Sequence, residues 1–278
     1  MTDWHDYKAQ VAEHTVQGDL RVAYDIHSPQ LDNTRDLLVW LPPDYATSTA
    51  RYPVLYMQDG QNLFDAHTSY VGEWYVDESM TQLAQDEDLG AIIVGIPNMG
   101  EFRFFEYNPF SAPIPTRNGR GRDYMRFVID IVKPLIDADF RTQPDPAHTG
   151  IGGSSLGGLI SLYGMLAHQD VFGRVAAFSP SYWLGGNRIT QTIQQYARGS
   201  GKIYMDIGTR ELDTVRHSDP TTASARYVQG MRGLRDALTR LGYVSDKTLC
   251  YIEDEGARHS EDDWARRFPG AMRFLFGA

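Results

Sequence analysis

Ser155 stands at the centre of a Gly-x-Ser-x-Gly pattern that runs from Gly153 to Gly157. An apolar run, Leu159 to Ala167, follows directly and predicts a buried helix. A tight turn from a strand into this helix would strain the serine backbone and project its hydroxyl, with the glycines providing space. The N–H of Leu156 would then face a developing oxyanion. The pattern predicts a nucleophile for acyl transfer; the alternative is a glycine-rich turn before a buried helix.

A nucleophilic serine needs a base, and His259 has the most suitable position among the eight histidines. It follows the last predicted strand, Lys247 to Ile252, and so belongs to the carboxyl edge of the sheet, where the serine turn also lies. His67 and His217 lie in predicted loops and are not excluded by their positions.

An acid must orient the imidazole, and Glu211 is the preferred candidate. It comes just after the predicted strand Lys202 to Ile207, again at the carboxyl edge. Asp206, within that strand, and Asp213, two residues beyond Glu211, are its rivals. The chain order of serine, glutamate and histidine is the order of nucleophile, acid and base in α/β-hydrolases.

A second oxyanion donor is expected from the loop after the third strand. There Gly60 permits a close approach of the backbone, and the next N–H, that of Gln61, can pair with the N–H of Leu156. Asp59-Gly60 is also a common turn dipeptide, so this assignment depends on the serine turn.

Loops at the same edge carry residues that can shape a substrate pocket. Aromatic side chains in such loops stack on sugar or aryl groups, and they equally often anchor loops. Arg103 can bind an anionic group, although a structural ion pair with Glu106 is the favoured interpretation. The candidates for substrate binding are Trp74, Arg103, Tyr107, Tyr182 and Trp183.

These residues must be positioned by a sheet, and the apolar patterns predict one that is mainly parallel. Two N-terminal strands alternate apolar and polar residues, which is typical of antiparallel, half-exposed strands. Later runs are short and continuously apolar, with helical patterns between them, as in parallel strands that helices cover on both faces. The predicted strands are Leu20 to Ile26, Asp36 to Leu41, Val54 to Met57, Ala91 to Ile96, Arg174 to Phe178, Lys202 to Ile207 and Lys247 to Ile252.

Two helices are predicted from their spacing. One covers Arg122 to Asp137, where Pro134 is expected to kink or shorten it. The other covers Thr222 to Leu241, with Gly242 placed to cap its end. The Gly-, Pro- and aromatic-rich stretch from Asn98 to Gly121 is interpreted as a long loop. The fold class is therefore α/β.

Composition narrows the class further. The chain has 278 residues, a formal net charge of −10 and one cysteine, Cys250, so an intramolecular disulfide or a cysteine-based metal cluster is excluded. We expect one hydrolase domain over residues 1–278 without a separate lid. The charge argues against nucleic acid, and no apolar run reaches the ~20 residues that span a bilayer. The N-terminus lacks the pattern of a signal peptide, so we expect a cytoplasmic protein.

Acidic residues are concentrated around His259. Six of them bracket it, and we expect this local charge to disfavour strongly anionic substrates. The six are Glu253, Asp254, Glu255, Glu261, Asp262 and Asp263.

With these residues in view, the chain resembles the putative esterase family of α/β-hydrolases, from about Leu37 to Phe276. The family includes enterochelin, feruloyl and acetyl-xylan esterases and mycolyltransferases. The resemblance rests on Leu-Pro-Pro-Asp-Tyr at 41–45, Tyr-Pro-Val-Leu-Tyr at 52–56, Asp-Gly-Gln-Asn-Leu-Phe at 59–64, the serine turn at 153–158, Ser-Pro-Ser-Tyr-Trp at 179–183, the turn at 208–211, and His259 followed by Trp264.

The resemblance implies Ser155 as nucleophile, Glu211 as acid, His259 as base and the N–H groups of Gln61 and Leu156 as the oxyanion hole. Gln58 departs from the family, where many members have histidine before Asp-Gly. The expected function is a serine carboxylic-ester hydrolase that acts on a small or medium-sized ester, with no metal and no cofactor. The alternatives are an acyltransferase with the same triad and a non-catalytic binding protein on a hydrolase scaffold.

Overall fold

A mixed sheet forms the centre of the computed structural model, which describes residues 2–110, 118–196, 198–213 and 219–277. Its strands in these ranges are β1 His5–Asp6, β2 Asp19–Ser28, β3 Asn33–Leu41, β4 Val54–Gln58, β5 Ile92–Ile96, β6 Thr149–Ser154, β7 Arg174–Phe178, β8 Lys202–Gly208 and β9 Leu249–Asp254. Their spatial order is β1-β2-β3-β5-β4-β6-β7-β8-β9.

The sheet is antiparallel at its N-terminal side and parallel elsewhere, as predicted. Strands β1, β2, β3 and β5 pair antiparallel in succession, and every pairing from β5 through β4 to β9 is parallel. Val54 on β4 pairs with both Ile92 and Thr149, and Arg174 pairs with both Gly150 and Lys202. In-phase parallel strands end together, so their carboxyl ends form one edge of the sheet.

Helices cover both faces of the sheet. In the described ranges they are α1 Tyr7–Gln10, α2 Val76–Glu87, α3 Arg103–Glu106, α4 Gly121–Phe127, α5 Lys133–Asp139, α6 Leu156–Ala167, α7 Arg188–Tyr196, α8 Pro220–Arg240 and α9 Glu261–Phe276. Short 3₁₀ turns are formed by Gly60–Asn62, Gly100–Phe102 and Pro146–His148. Within the same ranges, no helix combines the length and the apolar character needed to cross a bilayer.

The core has two layers because side chains alternate along each buried strand. On β4, Val54 and Tyr56 belong to the cluster on one face of the sheet, whereas Leu55 and Met57 belong to the cluster on the other. Because helices pack on both faces, central strands such as β4 and β5 are buried at every position.

Prolines modify the two predicted helices. Pro134 lacks an N–H, and the helix predicted over 122–137 widens just before it into a π-helical turn, Val128–Val132, that joins α4 to α5. Helix α8 begins at Pro220, earlier than predicted, because proline suits the first helical position and the Asp219 carboxylate accepts the N–H of Thr222 at 3.0 Å.

The stretch interpreted as a long loop, 98–121, is not entirely irregular. It contains the turn Gly100–Phe102 and helix α3, and α4 begins at its last residue. Residues 111–117 of this stretch lie outside the described residues.

Candidate active site

Ser155 occupies the turn between β6 and α6 with φ 56° and ψ −120°. This left-handed conformation is strained for a residue with a side chain, and it directs the hydroxyl away from both elements. The flanking glycines are required by close packing. A Cβ added at Gly153 or Gly157 would lie 2.9 or 3.0 Å from Cβ of Gln58.

The end of β7 holds the backbone of this turn. The N–H of Ser155 donates to the carbonyl of Phe178, and the N–H of Ser181 donates to the carbonyl of Ser155, both at 2.9 Å. The hydroxyls of Ser155 and Ser181 are 3.1 Å apart. Sequence reasoning missed Ser181, although it lies in the Ser-Pro-Ser-Tyr-Trp motif after β7.

Glu211 and His259 meet at the same edge of the sheet. Their Oε2 and Nδ1 atoms are 2.5 Å apart, and the carboxylate is fully buried. Its other oxygen, Oε1, accepts the N–H of Gly208 and the hydroxyl of Ser179, each at 2.6 Å. The carboxylate therefore receives three hydrogen bonds that fix its position, and it leaves Nε2 of the imidazole available to accept a proton.

The rival acids have other partners. Asp206 is buried and forms an ion pair with Arg267 at 2.9 Å. Its burial raises its pKa to about 6, against the lowering effect of Arg267. Asp213 pairs with Arg210 at 2.5 Å near the surface.

The other histidines left open by sequence do not approach Glu211 in the described part of the chain. His67 lies against Asp65, with Nδ1 and Oδ1 3.2 Å apart. His217 lies outside the described residues.

A buried polar network supports the glutamate from below. Besides donating to Glu211, the hydroxyl of Ser179 accepts hydrogen bonds from Nε1 of Trp264 at 3.1 Å and from Arg267 at 3.3 Å. The Trp264 ring packs edge-on against the His259 ring, with centroids 4.8 Å apart. Sequence reasoning assigned no role to Ser179, although it begins the Ser-Pro-Ser-Tyr-Trp motif, and it missed Arg267, whose local sequence gives no sign of a buried site.

The loop after β4 approaches the serine turn closely. Asp59 adopts φ 57°, and a Cβ on Gly60 would lie 2.6 Å from backbone atoms of β5, so only glycine fits. The Gln61 N–H, which follows, and the Leu156 N–H, which opens α6, are not hydrogen-bonded to another described residue. Both N–H groups remain free to donate to a bound oxygen.

Arg103 fixes the loop after β4 through an ion pair with Asp59. Its Nε and Nη2 donate to the two carboxylate oxygens of Asp59 at 2.7 and 2.8 Å, and the guanidinium lies 5.1 Å from the centre of the Tyr107 ring. Burial lowers the pKa of Arg103, but the hydrogen bonds to Asp59 outweigh this effect and leave the pKa above its usual range. The expected pairing of Arg103 with Glu106 was wrong: Glu106 instead pairs with Arg35 at 3.0 Å in the core.

Comparison with known proteins identifies the family. A family model described as "Putative esterase" matches residues 28–275. The chain belongs to the Putative esterase family. This confirms the resemblance inferred from the motifs, and it makes the chain an esterase by family.

Individual relatives of this esterase are distant. "Uncharacterized protein YbbA" of Bacillus subtilis is 26% identical over 248 residues, which are 87% of this chain and 93% of that protein. "Ferri-bacillibactin esterase BesA" of the same organism is 30% identical over 160 residues, 51% of this chain and 52% of that protein. The "Siderophore hydrolase EstA from Aspergillus nidulans" has a TM-score of 0.73 at 16% identity and covers 92% of this chain and 93% of that one, which confirms the α/β-hydrolase fold.

A cleft of about 870 Å³ opens beside Ser155 in this esterase. Of the five candidates for substrate binding, Arg103 lines it. The other walls come from the loop after β4, the segment before α2 and the start of α9. The remaining lining residues are Asp59, Gln61, Asn62, Thr68, Ser69, Tyr70, Val71, Asn98, Gly100, Glu101, Ser154, Glu261 and Trp264.

The four predicted aromatic residues lie elsewhere. Trp74 and Tyr107 are buried in the core; Trp74 packs on Trp264 at 5.7 Å, and the Tyr107 hydroxyl accepts the N–H of Asp59. Their assignment to the pocket is corrected to packing beneath it, because exposure cannot be inferred from aromatic character alone. Tyr182 donates to the carbonyl of Arg226, and Trp183, half exposed, stacks on Tyr227; neither lines this cleft.

A group of carboxylates that is close enough to hold a cation lies apart from the cleft. Within the described ranges, the ligand atoms of Glu73, Asp77 and Glu78 lie within 4.8 Å of one another. Burial raises the pKa of Glu73 to about 7 and that of Asp77 to about 8. Since none of the three lines the cleft, we assign them no part in ester chemistry.

Proposed function

We propose that this esterase hydrolyses carboxylic esters through an acyl-enzyme on Ser155, with His259 as base and Glu211 as the acid that orients it. One observation carries the proposal: the fully buried Glu211 carboxylate is held by two further donors and lies 2.5 Å from Nδ1 of His259, at the edge of the sheet where the strained Ser155 lies. This arrangement matches the roles of nucleophile, base and orienting acid.

The mechanism follows from these roles. Nε2 of His259 takes the proton of Ser155 as Oγ attacks the ester carbonyl, and the N–H groups of Gln61 and Leu156 stabilise the oxyanion. His259 then protonates the departing alcohol, and water repeats the sequence on the acyl-enzyme. Before substrate binds, the Ser155 hydroxyl contacts Ser181. Catalytic hydrogen bonds often tighten only in the complex, so this contact is compatible with the mechanism.

The substrate is proposed to be a small or medium-sized ester. A cleft of about 870 Å³ suits a ligand of that size. Relatives bear names of siderophore esterases and of a xylanase/feruloyl esterase, so the names support ester hydrolysis without agreeing on one substrate.

The single sheet of the described residues supports the further proposal that residues 1–278 form one hydrolase domain.

Labelling with a fluorophosphonate, followed by peptide mapping, tests the proposal. We expect the label on Ser155 and the loss of ester hydrolysis in Ser155→Ala. Ser161→Ala is a matched control, because it removes a buried hydroxyl of α6 that has no hydrogen-bond partner among the described residues. Label on another residue, or an active Ser155→Ala variant, would show that the proposal is wrong.

A further inference from the structure

Glu261 places a carboxylate in the cleft that no other described residue binds. It is the first residue of α9, two residues after His259, and it lines the cleft together with Ser155 and Trp264. Its carboxylate contacts its own backbone N–H, and no hydrogen bond or ion pair joins it to another described residue. Burial raises its pKa, and the contact with its own N–H and the nearby His259 oppose this increase. A carboxylate offers acceptor positions for about four hydrogen bonds, so the contact with its own N–H leaves Glu261 able to bind a ligand.

The backbone at the start of α9 does not need Glu261. Ser260 is the capping residue, and its side chain accepts the N–H of Asp263. Asp263 in turn accepts the N–H of Arg258 at 2.9 Å and the hydroxyl of Ser260 at 3.0 Å. This reciprocal arrangement completes the cap. Among the three acids of the first turn, Glu261 is the one that lines the cleft.

Arg103 is the cationic residue among the described residues that line the cleft, and it does not compensate Glu261. Arg103 is held by both oxygens of Asp59, so this pair is neutral as a unit. Glu101, at the exposed rim of the cleft, is a further acid without a partner among the described residues. The uncompensated charge of the cleft is negative, and it favours a positively charged ligand.

The side of the cleft on which Glu261 lies indicates which part of the ester it meets. In the proposed mechanism His259 gives its proton to the departing alcohol, so the alcohol lies on the histidine side of Ser155. Glu261 and Trp264 lie on that same side, because they follow His259 on α9 and Trp264 packs against its ring. The carbonyl oxygen is directed the other way, toward the N–H groups of Gln61 and Leu156.

We propose that Glu261 selects esters whose alcohol part carries a cationic ammonium group. This inference rests on the proposed function of the site. The carboxylate would form an ion pair with the ammonium group. Anionic alcohols would be disfavoured by the same charge. Of the six acids around His259, Glu253, Asp254 and Asp263 pair with arginines. Of the other three, Glu261 is the one that lines the cleft.

Three butyrate esters test this selection, because they share the acyl group and an ethylene spacer and differ only in the terminal group. These are butyrylcholine, its neutral isostere 3,3-dimethylbutyl butyrate, and 2-sulfoethyl butyrate. For the wild-type protein we expect kcat/KM for the choline ester to exceed that for the neutral ester by about tenfold, the size of an interaction with a half-buried charge. The sulfonate should be the slowest of the three.

In Glu261→Gln the ratio of choline ester to neutral ester should fall to about one. Because both esters use the same serine chemistry, the ratio cancels any effect of the substitution on His259. Asp262→Asn is the matched control, since Asp262 is the exposed next residue and does not line the cleft; it should keep the wild-type ratio.

Equal rates for the choline and neutral esters, a faster sulfonate, or a ratio that Glu261→Gln leaves unchanged would each overturn the inference while ester hydrolysis stands. Failure to hydrolyse any of the three esters, together with no fluorophosphonate label on Ser155, would instead refute the proposed function.

Discussion

Replacing Glu211 by glutamine tests the proposed acid with almost no change in size. The structure determines how the new amide must lie. The position of Oε1 receives the N–H of Gly208 and the hydroxyl of Ser179 at 2.6 Å. A backbone N–H can only donate, so the amide oxygen must occupy this position. The amide NH₂ is then directed at Nδ1 of His259, where the carboxylate oxygen now lies at 2.5 Å.

This orientation forces the wrong tautomer on the imidazole. Nδ1 of His259 must accept a hydrogen bond, so the ring proton moves to Nε2, which can no longer take the proton of Ser155. The variant also loses the negative charge that stabilises the imidazolium. Loss of the orienting acid in this way costs about 10⁴ in kcat, or about 5.5 kcal/mol of transition-state stabilisation. KM should change little, because Glu211 is buried and does not line the cleft.

The assay is the measurement of kcat and KM for the wild-type protein and Glu211→Gln on 3,3-dimethylbutyl butyrate at neutral pH, with thermal unfolding by circular dichroism to verify folding. Asp213→Asn is the matched control. It makes the same change of charge in the same turn, but its carboxylate pairs with Arg210 near the surface. The control should retain activity within about twofold, as surface substitutions usually do.

A folded Glu211→Gln protein that loses less than about tenfold in kcat would refute the reasoning, since the orienting acid would then have to lie elsewhere. The same conclusion would follow if Asp213→Asn lost as much activity as Glu211→Gln.

Two further predictions concern the oxyanion loop and the buried carboxylates. A Cβ in Gly60→Ala would lie 2.6 Å from backbone atoms of β5, so the Gln61 N–H must shift and kcat should fall by about 10²–10³. The control is Gly233→Ala, where a Cβ meets nothing within 4 Å, and it should retain full activity. Equal activity of the two variants would contradict the assignment of the Gln61 N–H to the oxyanion hole. Burial raises the pKa of Glu73 from 4.5 to about 7 and that of Asp77 from 3.8 to about 8, so the folded chain holds these protons more tightly than the unfolded chain. The contribution of these two groups to stability should therefore be greatest below pH 4 and should decrease as pH rises toward 8. Measured as Tm against pH, this decrease should be smaller in Asp77→Asn than in the wild-type protein. A wild-type Tm that depends on pH as little as that of the variant would contradict the raised pKa values.

Patterns along short segments were sufficient for the fold. The strand Arg174–Phe178 lies where its apolar run predicts it, and the turn at Ser155 follows from glycines on either side of one residue. These features are local, because alternation, apolar runs and backbone strain depend on neighbours in the chain. The family resemblance drew on the same segments, and the matching family model confirms it.

Choices among similar residues needed the tertiary structure. Sequence left three acids as partners for His259, and the structure separates them by depth and direction: Asp206 lies beneath the site against Arg267, Asp213 faces Arg210 near the surface, and Glu211 meets the histidine. All three follow or lie within one strand, so their positions in the chain do not distinguish them.

By itself the sequence determined the α/β class, the serine turn, and a set of loops whose residues could act together. Only the tertiary structure decided which charges meet: Arg103 pairs with Asp59 rather than with its near neighbour Glu106, and Glu261 alone among the acids around His259 lines the cleft. The physical reason is that ion pairing depends on depth and direction in three dimensions. Strand patterns bring several loops to the same edge of the sheet, but no local pattern encodes which of their side chains pair there.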